Sequence, residues 1–127
     1  MNLKTHLMIV IVTLILGGCA GVKNRELVCT GMLQVGIYSD AFKQVWGLPN
    51  HTKVVSGDQI VSAGWGNGGG SFYKGKTHFE VWTYDNRGVE LAFDVRKHRL
   101  AGWNTSKTVQ ELAAPDVEAC QKRREAE

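Results

Sequence analysis

The stretch Thr77-His78-Phe79-Glu80-Val81-Trp82-Thr83-Tyr84-Asp85-Asn86-Arg87-Gly88-Val89-Glu90-Leu91-Ala92-Phe93-Asp94-Val95 decides how the rest of the chain is read. Two alternating runs flank Asp85-Asn86-Arg87-Gly88, a turn sequence, and this pattern predicts a β-hairpin. Pairing Tyr84 with Val89 sets Trp82 opposite Leu91 and Glu80 opposite Phe93. Trp82, Tyr84, Val89, Leu91 and Phe93 then share one face, because side chains alternate across a strand and a one-residue slip would expose them all. Thr83, Glu90 and Asp94 take the other face, where Phe79 and Val81 stand out as apolar exceptions.

Working outward, Ser39 to Trp46 reads as a helix. Ser39 suits the N-cap and Asp40 the first turn. Ala41, Phe42, Val45 and Trp46 fall on one face, and Lys43 and Gln44 on the other. Gly47 provides the residue after the helix and Pro49 blocks its continuation. Leu33, Val35 and Ile37 alternate just before it, as an apolar lead-in. Residues 53–63 read as β-compatible, with Val54, Val55, Ile60 and Val61 around a Gly57-Asp58 turn. Gly64 to Lys76 is a loop holding six glycines. Downstream of the hairpin, Lys97-His98 marks a second tight turn into a strand over Arg99–Asn104. A bulge is needed there if Leu100 and Trp103 are both to face inward. The C-terminal end reads as helical, with Thr105 or Ser106 capping residues 107–113. Ala114-Pro115-Asp116 restarts a helix with Pro at its first position, and Gln121 to Glu127 reads as a frayed, solvated end.

The chain opens with Lys4, an apolar run from Leu7 to Leu16, and Gly17-Gly18-Cys19. This is the three-part layout of a secretory signal peptide. The apolar run is too short for a membrane span, which needs about 20 residues. Leu16-Gly17-Gly18-Cys19 resembles the bacterial lipobox, which implies cleavage before Cys19 and lipidation of that residue. Ala20 stands where an Asp would favour retention at the inner membrane, so the resemblance implies an outer-membrane address facing the periplasm. Of three cysteines, Cys29 and Cys120 remain, an even pair in a disulfide-permissive compartment. A bond between them is one reading and two separate thiols the other. The expected organisation is a signal peptide over 1–18, a lipid-anchored tether over 19–30, an α+β domain over 31–105 and a helical extension over 106–127.

Little else carries chemistry. Fifteen basic residues against twelve acidic ones give too even a balance to point to nucleic acid. Gly70-Ser71-Phe72-Tyr73-Lys74-Gly75-Lys76-Thr77 fits the phosphate-loop pattern formally. That motif needs a strand before it and a helix after it, whereas a Gly-rich loop precedes this one and a strand follows. A nucleotide is therefore not expected. Ser39, Ser56, Ser62 and Ser71 lack a nucleophile-elbow frame, and the histidines are scattered. No metal-ligand spacing occurs, so no cofactor, no metal and no enzyme activity are expected. Trp65, Phe72 and Tyr73, with Lys74 and Lys76, are the candidate partner-binding residues, as aromatic anchors on a Gly-rich loop. The competing reading folds the aromatics back over the sheet edge.

Val35-Gly36-Ile37, the short helix and then Val45-Trp46-Gly47-Leu48-Pro49 resemble the signature of the SmpA/OmlA, or BamE-like, lipoprotein domain. Glu80-Val81-Trp82-Thr83-Tyr84 looks like that family's E-x-W-x-Y strand. Leu91-Ala92-Phe93-Asp94 followed by Leu100 resembles its next pair of strands. The resemblance spans roughly residues 33–104. It implies short helices packed on a small antiparallel β-sheet, half of a β-lactamase-inhibitor-protein-like fold. It also implies a non-catalytic outer-membrane lipoprotein that supports envelope integrity or β-barrel protein assembly through contacts with an envelope protein partner, the barrel-assembly machinery being one candidate. In that reading Phe42, Trp46, Trp82 and Phe93 are core, Gly36, Gly47 and Pro49 are structural, and binding lies on the sheet edge or the Gly-rich loop. The alternative is a lipid-anchored periplasmic inhibitor of a lysozyme or another secreted enzyme.

Overall fold

The computed structural model describes residues 21–63, 65, 69–70 and 78–126. The order is α1 (21–29), α2 (Ser39–Trp46), β1 (His51–Ser56), α3 (Gly57–Ser62), β2 (Gly69–Gly70), β3 (His78–Tyr84), β4 (Val89–Asp94), β5 (Leu100–Thr105), α4 (Val109–Ala113) and α5 (Val117–Ala126). The class is α+β, with short helices on one antiparallel sheet ordered β1-β3-β4-β5-β2.

The hairpin has the register its alternation requires: Tyr84 opposite Val89, Trp82 opposite Leu91 and Glu80 opposite Phe93. Its turn is a single 3₁₀ turn over Asp85–Arg87, closed by Gly88 at φ 64°, a left-handed conformation natural to glycine. Phe93 pairs with Leu100, yet Ala92 pairs with Gly102, so Ala101 is the extra residue of a β-bulge. The bulge lets both Leu100 and Trp103 reach the same core. At the turn before β5, His98 has φ 56°.

The main core lies on the face covered by α1, α2 and α4. Phe42 and Trp46 of α2 pack on Trp82, Tyr84, Val89, Leu91, Phe93 and Leu100, with Val28 of α1 and Leu112 of α4 closing its sides. Phe42 meets Trp46 and Phe93 with ring centroids 5.0 and 5.6 Å apart, within the range where tilted aromatic pairs attract. Helix α2 has the expected boundaries, but its N-cap is Tyr38, without a side-chain capping bond, and Ser39 is the first helical residue. Gly47, at φ 79°, ends the helix and donates its N–H to Lys43 O. The expected lead-in alternation fails at Val35, which is 59 % exposed, while Ile37 is buried. Gly36, at φ 103°, turns the chain between them, so the two side chains do not share a face.

Four further expectations are corrected. Residues 57–62 form helix α3 rather than a strand. Ser56 and Gln59 make a reciprocal capping box at its start, which satisfies two otherwise orphan donors and starts a helix where β-propensity alone reads a strand. Ile60 is thereby laid on Phe79, Val81 and Ala92, forming a second core on the opposite face of the sheet. Phe79 and Val81, the apolar exceptions of the hairpin, are its floor. Helix α4 is capped by Thr108, not by Thr105 or Ser106, through a second capping box with Glu111; Thr108's N–H bond holds the Glu111 carboxyl below its ordinary range.

The segment over 21–29, read as part of an aperiodic tether, is helical and ends on buried Val28 and Cys29. Cys29 and Cys120 are bonded, with Cα atoms 5.9 Å apart. In the helical segment that follows β5, Leu112 belongs to the main core and Asp116 is buried. Pro115 sits in a 3₁₀ turn over Ala114–Asp116, which leads into α5. That helix continues to Ala126 rather than fraying from Gln121.

Candidate functional site

Trp65 is the one described member of the candidate loop set. It is half-buried and packs against the second core, so it folds back onto the sheet as the competing reading held. Phe72, Tyr73, Lys74 and Lys76 lie outside the described residues, as does Cys19. Gly69 and Gly70 pair with Trp103 and Gly102, which places this part of the loop along the free side of β5.

Strand β1 forms the other edge. It pairs with β3 from His51↔Thr83 to Ser56↔His78, and no described strand lies beyond it. Residues 51–54 are exposed, Val54 to 60 %. A six-residue edge with one row of unpaired backbone groups is a template for another strand, which Lys53 partly discourages.

Helices α1 and α5 lie side by side and run antiparallel. Cys29 is bonded to Cys120, and one turn nearer the start of α1 Glu26 accepts from Arg124 Nε at 3.0 Å. Arg123 donates to Gln44 O at the end of α2. On the side of the core near α4, a groove of about 320 Å³ is lined by Met32, Leu33, Trp103, Lys107, Val109 and Leu112.

A further cavity of about 310 Å³ opens at the start of α2 and is lined by Tyr38, Ser39, Asp40, Lys43, Lys97 and His98. Ser39 N–H donates to His98 O at 2.9 Å, which docks the β4–β5 turn against the helix. Within that turn the Asp94 carboxylate accepts the Lys97 and Arg96 N–H groups at 2.9 and 2.8 Å. These bonds, that from Lys97 first, hold its carboxyl below the usual range. Arg99 lies over the Tyr38 ring, 4.4 Å from its centroid, and donates to its hydroxyl. Lys97-His98 was legible as a turn, but its approach to Ser39 and Lys43 is a long-range contact that no local pattern announces.

Among the described residues no group of three or more His, Cys, Asp or Glu side chains is placed to hold a metal ion, and no helix is long and apolar enough to cross a membrane. No protein-family model, curated protein or solved structure matches the chain.

Proposed function

We propose that this chain is a non-catalytic lipoprotein, anchored through Cys19 to the periplasmic face of the outer membrane, that supports envelope integrity or β-barrel protein assembly by contacting protein partners. The supporting observation is the open edge of β1, six residues long and paired on one side only among the described residues. A partner strand added there would gain a row of main-chain hydrogen bonds, with Val54 and its neighbours supplying side-chain contacts. The Cys29–Cys120 bond fits the oxidising compartment that this reading requires. The lipobox resemblance and the SmpA/OmlA-like motifs supply the rest.

The test is a pull-down of the full lipidated protein carrying a photo-crosslinking residue at Val54, from outer membranes, read by mass spectrometry. Recovery of barrel-assembly components crosslinked through position 54 supports the proposal. Recovery of a lysozyme, another secreted enzyme or cell-wall material instead overturns the partner assignment.

A further inference from the structure

We infer that the edge of β1 left unpaired among the described residues is selective for an extended segment alternating carboxylates with β-branched or aromatic residues, a carboxylate lying opposite Lys53. The inference rests on the reading of that edge as a docking strand and adds the chemistry of its partner. Three observations carry it. The first is the sorting of β1 between the two faces of the sheet. Lys53 pairs with Val81 and Val55 with Phe79, and Val81 and Phe79 belong to the second core. Thr52 pairs with Trp82 and Val54 with Glu80, on the face of the main core, to which Trp82 belongs. A strand laid along β1 continues both faces, because its side chains alternate with the same period. Each of its residues therefore meets either the Lys53 side or the Val54 side, never both.

The second is an unmatched charge. Lys53 is exposed, and its cross-strand partner Val81 is apolar. None of the ion pairs among the described residues engages it. The other ionisable group of β1, His51, already meets Asp85 at 3.1 Å. A lysine on a strand edge discourages indiscriminate strand addition. The same charge favours a strand that sets a carboxylate opposite it, since opposite charges across a strand pair stabilise and like charges destabilise. Lys53 thus makes an open edge a selective one.

The third is the charge balance on the main-core face. Val54 is 60 % exposed there. Beside it, Glu80 accepts from Trp82 Nε1 at 2.5 Å, and Lys43 Nζ lies 5.4 Å from the centroid of the same ring. One carboxylate and one ammonium offset each other, so this face calls for apolar area rather than charge. A β-branched or aromatic side chain suits a half-buried place beside Val54 on a pleated surface. The partner is therefore acidic on one face and apolar on the other, at strand period. A basic strand of the same period would set ammonium against ammonium at Lys53.

The test uses the full lipidated chain in nonionic detergent micelles, with short synthetic peptides as probes. One peptide alternates Glu and Val strictly, a second alternates Lys and Val, and a third has the composition of the first in the order Glu-Glu-Val-Val. Binding is read from amide shifts and hydrogen-exchange protection over residues 51–56. The Glu-Val peptide is expected to bind there about fivefold more tightly than the Lys-Val peptide, the order of one cross-strand charge pair made or opposed. The reordered peptide, which cannot keep acid and apolar residues on separate faces, is expected to bind more weakly than the Glu-Val peptide. Lys53→Glu is expected to reverse the preference between the two alternating peptides, with amides outside β1 and β3 unmoved as the check on folding. Equal binding of both at β1, or a preference that survives Lys53→Glu, overturns the selectivity and leaves the docking edge standing. Absence of protection at β1 with every peptide overturns the docking edge and the selectivity together. Protection of residues 51–56 that grows with protein concentration and without peptide overturns the inference in favour of a second copy of the chain.

Discussion

Arg87 in the hairpin turn and Asp116 in the C-terminal segment form a two-point ion pair, with Nη1 and Nη2 donating to the carboxylate at 2.5 and 2.9 Å. Their side chains are 17 % and 6 % exposed, and the guanidinium also lies 5.0 Å from the Trp46 ring centroid. One arginine thus ties β3–β4, α2 and the start of α5 together. Removing either partner leaves the other buried without compensation. Asp116→Ala is therefore expected to destabilise the fold by about 3 kcal/mol. The double variant Arg87→Met, Asp116→Ala is expected to lose less than the sum of the two single changes. Urea unfolding of the four proteins measures this coupling.

The Cys29–Cys120 bond closes a loop with a sequence separation of 91. In the chain-entropy model such a loop is worth about 4–5 kcal/mol. Replacing both cysteines with alanine is expected to lower the unfolding free energy by about that amount, and a reducing agent to have the same effect on the native chain. An unchanged denaturant midpoint under reduction would count against it.

Gly31 joins α1 to the rest of the domain at φ 70°, and a Cβ there would meet Val109 O at 2.3 Å. Both the backbone angle and the approach to α4 exclude a side chain. Gly31→Ala is expected to cost more than about 2 kcal/mol, since the contact is with backbone that cannot rotate away. Gly36→Ala, with open space around the same atom, is expected to show only the conformational part of that loss. Comparing the two thermal midpoints separates the terms.

Tyr84 is buried, donates its hydroxyl to Gly47 O at 2.9 Å and packs edge-on against Trp46. Burial raises its pKa from 10.0 to about 12, against a smaller lowering by Arg87. The folded protein therefore holds the phenol proton more tightly than the unfolded chain. The associated stability is fully present below pH 10 and is lost as pH rises through about 12. Absorbance at alkaline pH is expected to show one tyrosine ionising late, together with unfolding, and Tyr84→Phe is expected to remove that step.

The hairpin, helix α2 and the bulge beside Ala101 were legible because their causes are local or nearly so. Strand alternation, turn residues at Asp85–Gly88 and a Gly-Leu-Pro stop after Trp46 each act over a few residues. Helix α3 was misread although its signal is also local, since Ser56 and Gln59 stand at capping-box spacing. Val54, Val55, Ile60 and Val61 outweighed it by propensity. For α1, nothing periodic marks residues 21–29; their helix is held by Val28 in the main core and by the bond from Cys29.

By itself the sequence determined the α+β class, the hairpin register and the aromatic core face, because period-2 and period-3.6 patterns express which side of an element avoids water. Only the tertiary structure decided that Cys29 meets Cys120 and that α1 lies antiparallel to α5. It also decided that Phe79 and Val81 face a second core under Ile60, and that Ser39 and Lys97 share a cavity. Each of these joins residues far apart in the chain. Their meeting depends on how whole elements pack, and that free energy is not written in any local window.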